Sequence, residues 1–324
     1  MPPKMAIMRQ SLDQIEQRIA AALLAAPRAS WRTIADCLDL SERTVLRRAA
    51  PLYGDGTLRA TAIRNPLCFP ELTPVALRIR CRPSTIGAVA RTLAHRPDTV
   101  WVEILGGGEE ISVVLFLADA ASRNGLLLRD LPATAAVTSW TTQQLIRVFP
   151  TAFAWTGGLL TEAELARLRP PAEPVKPAAP QPVDAALIEA LTADARASYG
   201  AIAARAGIGA TTARRRVAAI LDGQMIRLAT ELDLTLLGIK TDALLWLTVP
   251  PAELERTGST LSAHPQVRFA AATTGTSNLF IAVAAADRTG LYEFLTATLG
   301  PLTGHSAVET HPILSTVKRT GLIR

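Results

Sequence analysis

The chain has 324 residues, of which 49% are hydrophobic and 19% charged, and its formal net charge is +6. This length predicts two or more domains with their own cores, and the apolar fraction excludes a chain that is disordered throughout. The longest apolar runs, such as residues 111–118, are too short for a membrane-spanning helix, and the first ten residues show no secretory signal. Three scattered cysteines do not make a disulfide framework, so we expect a cytoplasmic protein.

The second half of the sequence repeats the first at a constant offset. Residues 28–35 and 196–203 share five of eight amino acids, and Arg28 aligns with Arg196. The same offset aligns Arg47 with Arg215 and continues without a gap for about a hundred residues. This register indicates a tandem duplication of one unit of about 150 residues.

In chain order, apolar spacing predicts the same elements in each copy. Between the two copies, a short helix with a capping box at Thr161 and Glu164 ends at Leu168, and a Pro-rich spacer of residues 170–182 follows it. The predicted elements of the first copy are helices 12–24, 31–38 and 41–50, strand 75–81, helix 84–94, strands 100–105 and 111–117, helix 122–131 and strand 137–145. Those of the second copy are helices 184–192, 199–206 and 210–221, strand 243–249, helix 251–263, strands 267–273 and 279–284, helix 289–299 and strand 308–314.

This order predicts an α+β fold. Three short helices, of which the last two are joined by a tight turn, are typical of a helix-turn-helix, and the order βαββαβ is that of a ferredoxin-like module. We therefore predict two winged-helix-like helix-turn-helix modules and two ferredoxin-like modules in tandem. The predicted boundaries are 9–62 and 183–231 for the helix-turn-helix domains, 70–150 and 238–324 for the ferredoxin-like domains, and 151–182 for the short helix and linker.

Nothing in the sequence argues for catalysis. The four histidines and three cysteines lack the spacing of zinc ligands, and no Gly-x-Ser-x-Gly elbow is present. The run from Gly106 to Gly108 is not followed by the Lys-Ser/Thr of a phosphate loop. We expect no enzyme activity, no metal and no cofactor.

The third helix of each predicted helix-turn-helix module, which we call the reading helix, carries the strongest evidence for a function. Such a helix fits the major groove of DNA, where Arg and polar side chains contact bases and phosphates. A cluster of Arg on one helix is more often a solvated face, but its occurrence in two helix-turn-helix contexts favours binding to double-stranded DNA. The predicted DNA-binding residues are Ser41, Arg43, Thr44, Arg47, Arg48, Thr211, Thr212, Arg214, Arg215 and Arg216.

Each copy resembles the leucine-responsive (Lrp/AsnC) family of transcription regulators. The resemblance rests on Arg28-Ala-Ser30 and on the third helix, which in the first copy has Leu40, Ser41, Val45, Arg48 and Leu52 at the family's positions. It implies a regulatory (RAM) module that binds an amino acid or related effector at an interface. The residues it implies lie in two β-hairpins: Gly275, Thr276, Ser277 and Asn278, and more weakly Gly106, Gly107 and Gly108.

Several positions depart from the family pattern. Pro51 lies in the last turn of the first reading helix, where it is expected to shorten or kink that helix. In the second copy, Gly209 replaces the hydroxyl of the N-cap. Arg48 and Arg216 could instead pair with an acid of the first helix, and Asp119 and Asp287 are interpreted as helix N-caps and not as ligands.

Two alternatives remain open. Siroheme decarboxylases have the same two-part architecture, but the strand of residues 267–273 has one Arg and no His, which matches them poorly. The other alternative is an effector-binding scaffold whose DNA-binding modules have decayed.

The resemblance implies a dimer formed through the ferredoxin-like modules. Two such modules in one chain could pair within it, since the thirteen-residue spacer spans about 40 Å when extended. Self-association into higher oligomers is expected if strand edges stay exposed. Because the two reading helices are covalently unequal, the operator need not be a palindrome.

Overall fold

The computed structural model describes residues 9, 11–149, 155–169, 181–302 and 307–324. The chain forms two compact units, and each unit contains parts of both copies. The helical unit comprises Met1–Cys68 with Phe153–Gly238, and the sheet unit comprises Phe69–Ala152 with Ile239–Arg324. Residues 170–180 of the predicted spacer lie outside the described residues.

The helices and strands follow nearly the same order in both copies. The first copy contains α1 (Gln14–Ala25), α2 (Trp31–Leu38), α3 (Glu42–Gly54), β1 (Arg59–Arg64), β2 (Thr73–Cys81), α4 (Ile86–His95), β3 (Thr99–Leu105), β4 (Glu110–Leu117), α5 (Ala120–Asn124), α6 (Leu131–Ala133) and β5 (Val137–Val148). The connecting helix is α7 (Glu162–Leu168). The second copy contains α8 (Asp184–Ala193), α9 (Tyr199–Ala206), α10 (Ala210–Asp222), β6 (Ile226–Glu231), β7 (Thr241–Thr248), α11 (Pro251–Ser262), β8 (Val267–Thr273), β9 (Leu279–Ala285), α12 (Arg288–Glu293), β10 (Ala307–Arg319) and β11 (Leu322–Ile323).

Short polar side chains cap several of the helices. Asp13 forms a capping box with Glu16, and the Ser30 and Ser41 hydroxyls accept backbone N–H groups of α2 and α3. Asp119 and Asp287 cap α5 and α12, which confirms their interpretation as caps. At the start of α10, Gly209 provides no side-chain hydrogen bond.

Pro51 does not shorten the helix that contains it, which corrects that part of the expectation. Helix α3 continues through Pro51 to Gly54 and has 13 residues, as many as α10. Pro51 is exposed in the last turn, where the helix loses one backbone donor, and the N–H of Asp55 still donates to the Pro51 carbonyl at 2.9 Å. Burial of Leu52 in the following position holds the last turn in place.

The βαββαβ order of each ferredoxin-like module is confirmed. The strand order is β3-β4-β2-β5 in the first module and β8-β9-β7-β10 in the second, and β5–β8 and β10–β3 pairings join the two sheets. The two joining pairs are equivalent by the repeat. Leu145 lies opposite Thr273 in one pair, and Ile313 lies opposite Leu105 in the other. The repeat aligns Leu145 with Ile313 and Leu105 with Thr273. The pairing of β7 with β10 that completes the second order lies within the second module.

The sheet unit has three apolar layers. One core lies under the helices of the first module, around Leu77 and Ile111, and a second lies under those of the second module, around Leu245 and Ile281. The third lies between the sheets, where Trp246 stacks on Phe280 with ring centroids 5.1 Å apart. Because the two modules bury their inner faces on each other, the predicted pairing of modules occurs inside one chain.

Two short strands join the helix-turn-helix modules and were missing from the predicted elements. Strands β1 and β6 pair antiparallel around Thr61 and Ala229, which lie opposite each other and are equivalent by the repeat. Because each strand finds its partner in the other copy, far away in sequence, no local pattern indicates the pairing. This ribbon gives the helical unit an internal pseudo-twofold arrangement.

Among the described residues, no helix is both long enough and apolar enough to cross a membrane.

Candidate nucleic-acid interface and ligand site

Helix α3 presents two arginines outward. Val45, Ala49 and Leu52 are buried against the first helix-turn-helix module, so Arg43 and Arg47 project from the opposite side and are exposed. Ser41 and Thr44 serve the helix start: the Thr44 N–H donates to Ser41 Oγ at 3.1 Å, and the two hydroxyls lie 2.8 Å apart. The first copy therefore offers Arg43 and Arg47 as its cationic groups.

Arg48 faces α1. Its guanidinium donates to the Asp13 carboxylate and lies 3.6 Å from Glu16 Oε1, with about a third of the side chain exposed. The hydrogen bond from the Glu16 backbone N–H lowers the pKa of Asp13, and Arg48 lowers it further. Together they outweigh burial, which acts to raise this pKa. The Arg48 guanidinium therefore joins α3 to α1, and its role in DNA binding stays a prediction.

Helix α10 presents a longer polar face. Ala213, Val217 and Ile220 are buried, while Thr211, Thr212, Arg214 and Arg215 are exposed. Arg216 is different: it is 8% exposed and forms two hydrogen bonds to Asp184 of α8, at 2.5 and 2.6 Å. The prediction that Arg216 contacts DNA is therefore corrected, because this arginine is held inside the module.

Two reciprocal arginines clasp the helix-turn-helix modules together, and sequence reasoning missed their role. Arg196 Nη1 donates to the carbonyls of Pro27 at 2.7 Å and Ala29 at 3.1 Å, and Arg28 donates to the equivalent carbonyls of Ala195 and Ala197. The signal was present, because both arginines lie in the stretch where the two copies match most closely.

Aromatic rings complete this clasp. The Arg196 guanidinium lies 4.0 Å from the ring centroid of Trp31, and that of Arg28 lies 4.9 Å from the ring centroid of Tyr199. Burial raises the pKa of Tyr53, which also lies beside Arg196, to about 12. Together with the β1–β6 ribbon, the clasp fixes the position of α3 relative to α10 within the helical unit.

The connecting helix α7 packs on α1 and α2 of the first module. The Cys37 thiol of α2 donates to the Glu164 carbonyl at 3.3 Å, and Arg167 donates to the Asp36 carbonyl at 3.2 Å. Arg18 of α1 pairs with the Glu164 carboxylate. The two helix-turn-helix modules therefore differ in their surroundings as well as in their reading helices.

The second hairpin, residues 274–278, lies against strand β5 of the first module. Gly275 has φ +98°, and Gln143 Nε2 donates to the Ser277 carbonyl at 2.9 Å. The Asn278 amide is engaged on both sides: it accepts from Val249 N–H at 2.8 Å and donates to the Val249 carbonyl at 2.7 Å. Asn278 thus holds the hairpin to the end of β7, and its role as an effector ligand stays a prediction.

The first hairpin lies against the second module in the same way. The Gly106 N–H donates to the Pro312 carbonyl at 2.7 Å, and the equivalent Thr274 N–H donates to the Gln144 carbonyl at 2.9 Å. Gly107 is exposed, and Gly108 has φ +68°. Both hairpins therefore lie on seams between the ferredoxin-like modules, with Thr276 exposed and Ser277 half-buried in the second one.

No cluster of three or more His, Cys, Asp or Glu side chains that could hold a metal ion occurs within the described ranges.

Comparison with known proteins finds two domain families in the second half of the chain. Residues 182–220 match the AsnC-type helix-turn-helix domain, and residues 242–323 match the Lrp/AsnC ligand binding domain. An uncharacterized HTH-type transcriptional regulator of Pyrococcus horikoshii is 27% identical over 143 residues, which cover 44% of this chain and 90% of that protein. A regulator of the same description from Pyrococcus abyssi has the same identity and coverage.

A solved structure resembles nearly the whole chain. The crystal structure of the siroheme decarboxylase NirDL has a TM-score of 0.59 and 12% identity, and the match covers 95% of this chain and 93% of that one. This likeness shows a shared fold. The second half of the chain carries the two domains of Lrp/AsnC-type transcription regulators, in the order that the sequence predicted.

Proposed function

We propose that the chain is a sequence-specific DNA-binding regulator in which one polypeptide supplies both halves of a regulator dimer. The observation that carries this proposal is the pseudo-twofold pairing of the two helix-turn-helix modules. The β1–β6 ribbon and the Arg28–Arg196 clasp hold them in equivalent positions. Each module then presents two exposed arginines from the helix that enters the major groove in this class of domain.

The repeat supports a tandem duplication as the origin of this arrangement. Strand pairings in both units connect positions that the repeat makes equivalent. A symmetric dimer makes such isologous contacts between two chains. Here the same contacts are made inside one chain, which frees each copy to differ from the other.

The exposed arginines predict two kinds of DNA contact. Arg43, in the first turn of α3, is placed to contact a base edge, and Arg215, in the second turn of α10, to contact phosphate. Arg43→Ala should cost about 1–3 kcal/mol and relax specificity at one base pair. Arg215→Ala should weaken binding to all sequences alike and reduce the salt slope by about one unit.

Fluorescence anisotropy titrations at several salt concentrations, on genomic fragments beside the protein's own gene and on random duplex, measure both effects. Arg129→Ala is the matched control, because Arg129 is exposed in the sheet unit and pairs with its neighbour Asp130. The proposal fails if neither Arg43→Ala nor Arg215→Ala differs from this control.

We infer further that the regulator responds to an amino acid or a close analogue bound at the second hairpin. Gly275 adopts a positive φ where the two modules meet, and the exposed Thr276 and half-buried Ser277 lie beside it. An amino acid that binds there should raise the melting temperature, and Ser277→Ala should reduce that rise. Thr138→Ala, on the exposed part of β5 away from the hairpin, is the control. A silent screen of all amino acids would count against the site.

The full-length likeness to a siroheme decarboxylase makes an enzyme the second candidate, and we propose that this chain is not one. The single arginine of β8, Arg268, is 8% exposed and bonds to Asp242 at 2.9 Å and Glu103 at 3.1 Å. It is therefore not available to a tetrapyrrole carboxylate, and β8 contains no histidine. Incubation with siroheme, followed by mass spectrometry, should show no loss of carbon dioxide; turnover would overturn this assignment.

A further inference from the structure

The two reading helices carry the same number of exposed arginines at different places. Arg47 and Arg215 occupy equivalent positions, one on each helix. Each helix has one further exposed arginine, at a different position. In α3 it is Arg43, which aligns with Thr211 of α10. In α10 it is Arg214, which aligns with Leu46 of α3. All four arginines are exposed, and none is engaged by an ion pair to a described residue.

Leu46 is the second sign of asymmetry. It is 46% exposed, although large apolar side chains on this helix are otherwise turned to the core. It lies on the same outward side as Arg47 and next to it, where a solvated helix face would carry a polar residue. An apolar side chain at a base-reading position contacts the methyl group of thymine, whereas Arg at that position favours guanine.

The displacement of one arginine corresponds to about one base pair. Three residues along an α-helix are about 4.5 Å, and successive base pairs are about 3.4 Å apart. The two arginines stay on one side of the helix, because residues three apart are neighbours on a helix surface. The pattern of guanine contacts along the groove therefore differs between the two helices by a step of this size.

Because the clasp joins the two modules, the different arginine positions on α3 and α10 can determine which DNA sequence the chain prefers. Thr61 and Ala229 face each other at the centre of the ribbon, and Arg28 and Arg196 make equivalent contacts on each side. The two helices are thus joined to each other by equivalent contacts, so a difference in their exposed side chains becomes a difference in the bases contacted.

We propose that the chain binds an operator with two unlike half-sites, and hence in a single orientation. The half-site that faces α3 has a guanine opposite Arg43 and a thymine opposite Leu46. The half-site that faces α10 lacks the first guanine and has one opposite Arg214, about one base pair further along. This inference rests on the proposed function, because it names the operator class that the same two helices would recognise.

The experiment begins with selection of the full-length chain on a random duplex pool. Three duplexes are then compared by anisotropy at fixed salt: the selected site, and two palindromes that each repeat one of its half-sites. The native chain should prefer the selected site over either palindrome by at least tenfold. The double variant Arg43→Thr with Leu46→Arg makes α3 resemble α10, and it should prefer the palindrome of the α10 half-site.

Two further proteins separate the possible results. The converse double variant, Thr211→Arg with Arg214→Leu, should prefer the palindrome of the α3 half-site. Leu128→Arg places an additional arginine at an exposed position of the sheet unit, away from both reading helices, and should leave the order of the three duplexes unchanged. All substituted positions are exposed except Leu46, which is about half exposed, so the variants should remain folded.

The outcomes are distinguishable. If selection returns palindromes, or if neither double variant changes the order of the duplexes, the inference is overturned while DNA binding stands. If the chain binds no duplex in the pool, even at low salt, the proposed function fails together with the inference.

Discussion

Adjacent arginines of α10 have opposite environments because successive residues point in directions about 100° apart around a helix. Arg215 is exposed, whereas Arg216 turns inward and pairs with Asp184, so that both side chains are less than a tenth exposed. Arg48 occupies the equivalent position in α3, but its partner Asp13 has 45% of its side chain exposed. The same pair of helices is therefore joined by a buried ion pair in one copy and by an exposed one in the other.

This difference predicts unequal costs for the same substitution. Arg216→Met should destabilise the helical unit by about 3–5 kcal/mol, because it leaves Asp184 buried without its cation. Arg48→Met, the matched control, should cost about 1 kcal/mol or less, because water can replace the lost contact. Midpoints of urea unfolding measure both changes. Equal midpoints for the two variants would contradict the assignment of Arg216 as an internal ion-pair partner.

The buried pair also predicts a pH dependence. Burial acts to raise the pKa of Asp184, but hydrogen bonds from Arg216 and from the Gln181 N–H outweigh it, so this pKa lies below its ordinary value of 3.8. Because the folded pKa is the lower one, the contribution of the pair is fully present above that ordinary value and is lost as the pH falls through the folded pKa. The native chain and Arg216→Met should therefore converge in stability as the pH is lowered below 4. A gap that stays constant with pH would contradict this.

At the scale of elements, the strands that join the sheets are longer than local patterns predict. The sequence predicts β5 to end at Leu145 and β10 at Leu314, but they continue to Val148 and Arg319. The alternation of apolar residues indicates the part of each strand that pairs within its own module. The continuation pairs with the other module, which no local window contains.

Only part of the candidate site follows from local sequence patterns. The caps, the βαββαβ order and the exposed arginines follow from local spacing and from the repeat. The β1–β6 ribbon, the ion pair of Arg216 and the use of the Asn278 amide depend on partners brought together by folding. Sequence therefore identified the reading helices but assigned some of their internal contacts to DNA.

The end of β5 gives a prediction at this scale. Phe149 follows β5 and is fully buried in the core of the second module, over Gly258 of α11. A Cβ at Gly258 would overlap the Phe149 ring. Gly258→Ala should therefore destabilise the chain by about 1–3 kcal/mol through overpacking, and Phe149→Ala by about 3–5 kcal/mol through the cavity it leaves.

A double-variant cycle tests this contact. In the presence of Phe149→Ala, the alanine at position 258 no longer meets a ring, so the double variant should be less destabilised than the sum of the single changes. Ala88→Gly, in the exposed part of α4, controls for the helix propensity of glycine. Strict additivity would show that Phe149 does not pack on Gly258.

At the scale of the whole molecule, a buried charge network distinguishes the two ferredoxin-like modules. Glu103 of the first module is 1% exposed and accepts hydrogen bonds from Arg268 and Arg319 of the second, each at 3.1 Å. Asp242 completes the network at 2.9 Å from Arg268 and 2.7 Å from Arg319. At the equivalent positions the repeat has Ala271 for Glu103, Val100 for Arg268 and Pro74 for Asp242, so the network forms only between unlike modules.

Removing the one anion that the first module contributes should therefore weaken the pairing of the modules. Glu103→Leu leaves two buried guanidinium groups with Asp242 as the remaining carboxylate of this network, and it should lower the free energy of unfolding by about 3–5 kcal/mol. Glu255→Leu is the control: its carboxylate pairs with Arg147 across the same two modules but is 64% exposed, so the cost should be about 0–1 kcal/mol. Urea unfolding followed by tryptophan fluorescence includes a signal from this layer, since two of the five tryptophans, Trp101 and Trp246, lie between the sheets. Equal losses for the two variants would mean that the network adds nothing to the apolar burial and strand pairing that hold the modules together. A larger loss for Glu103→Leu would identify the network as the feature that makes each module select the other as its partner.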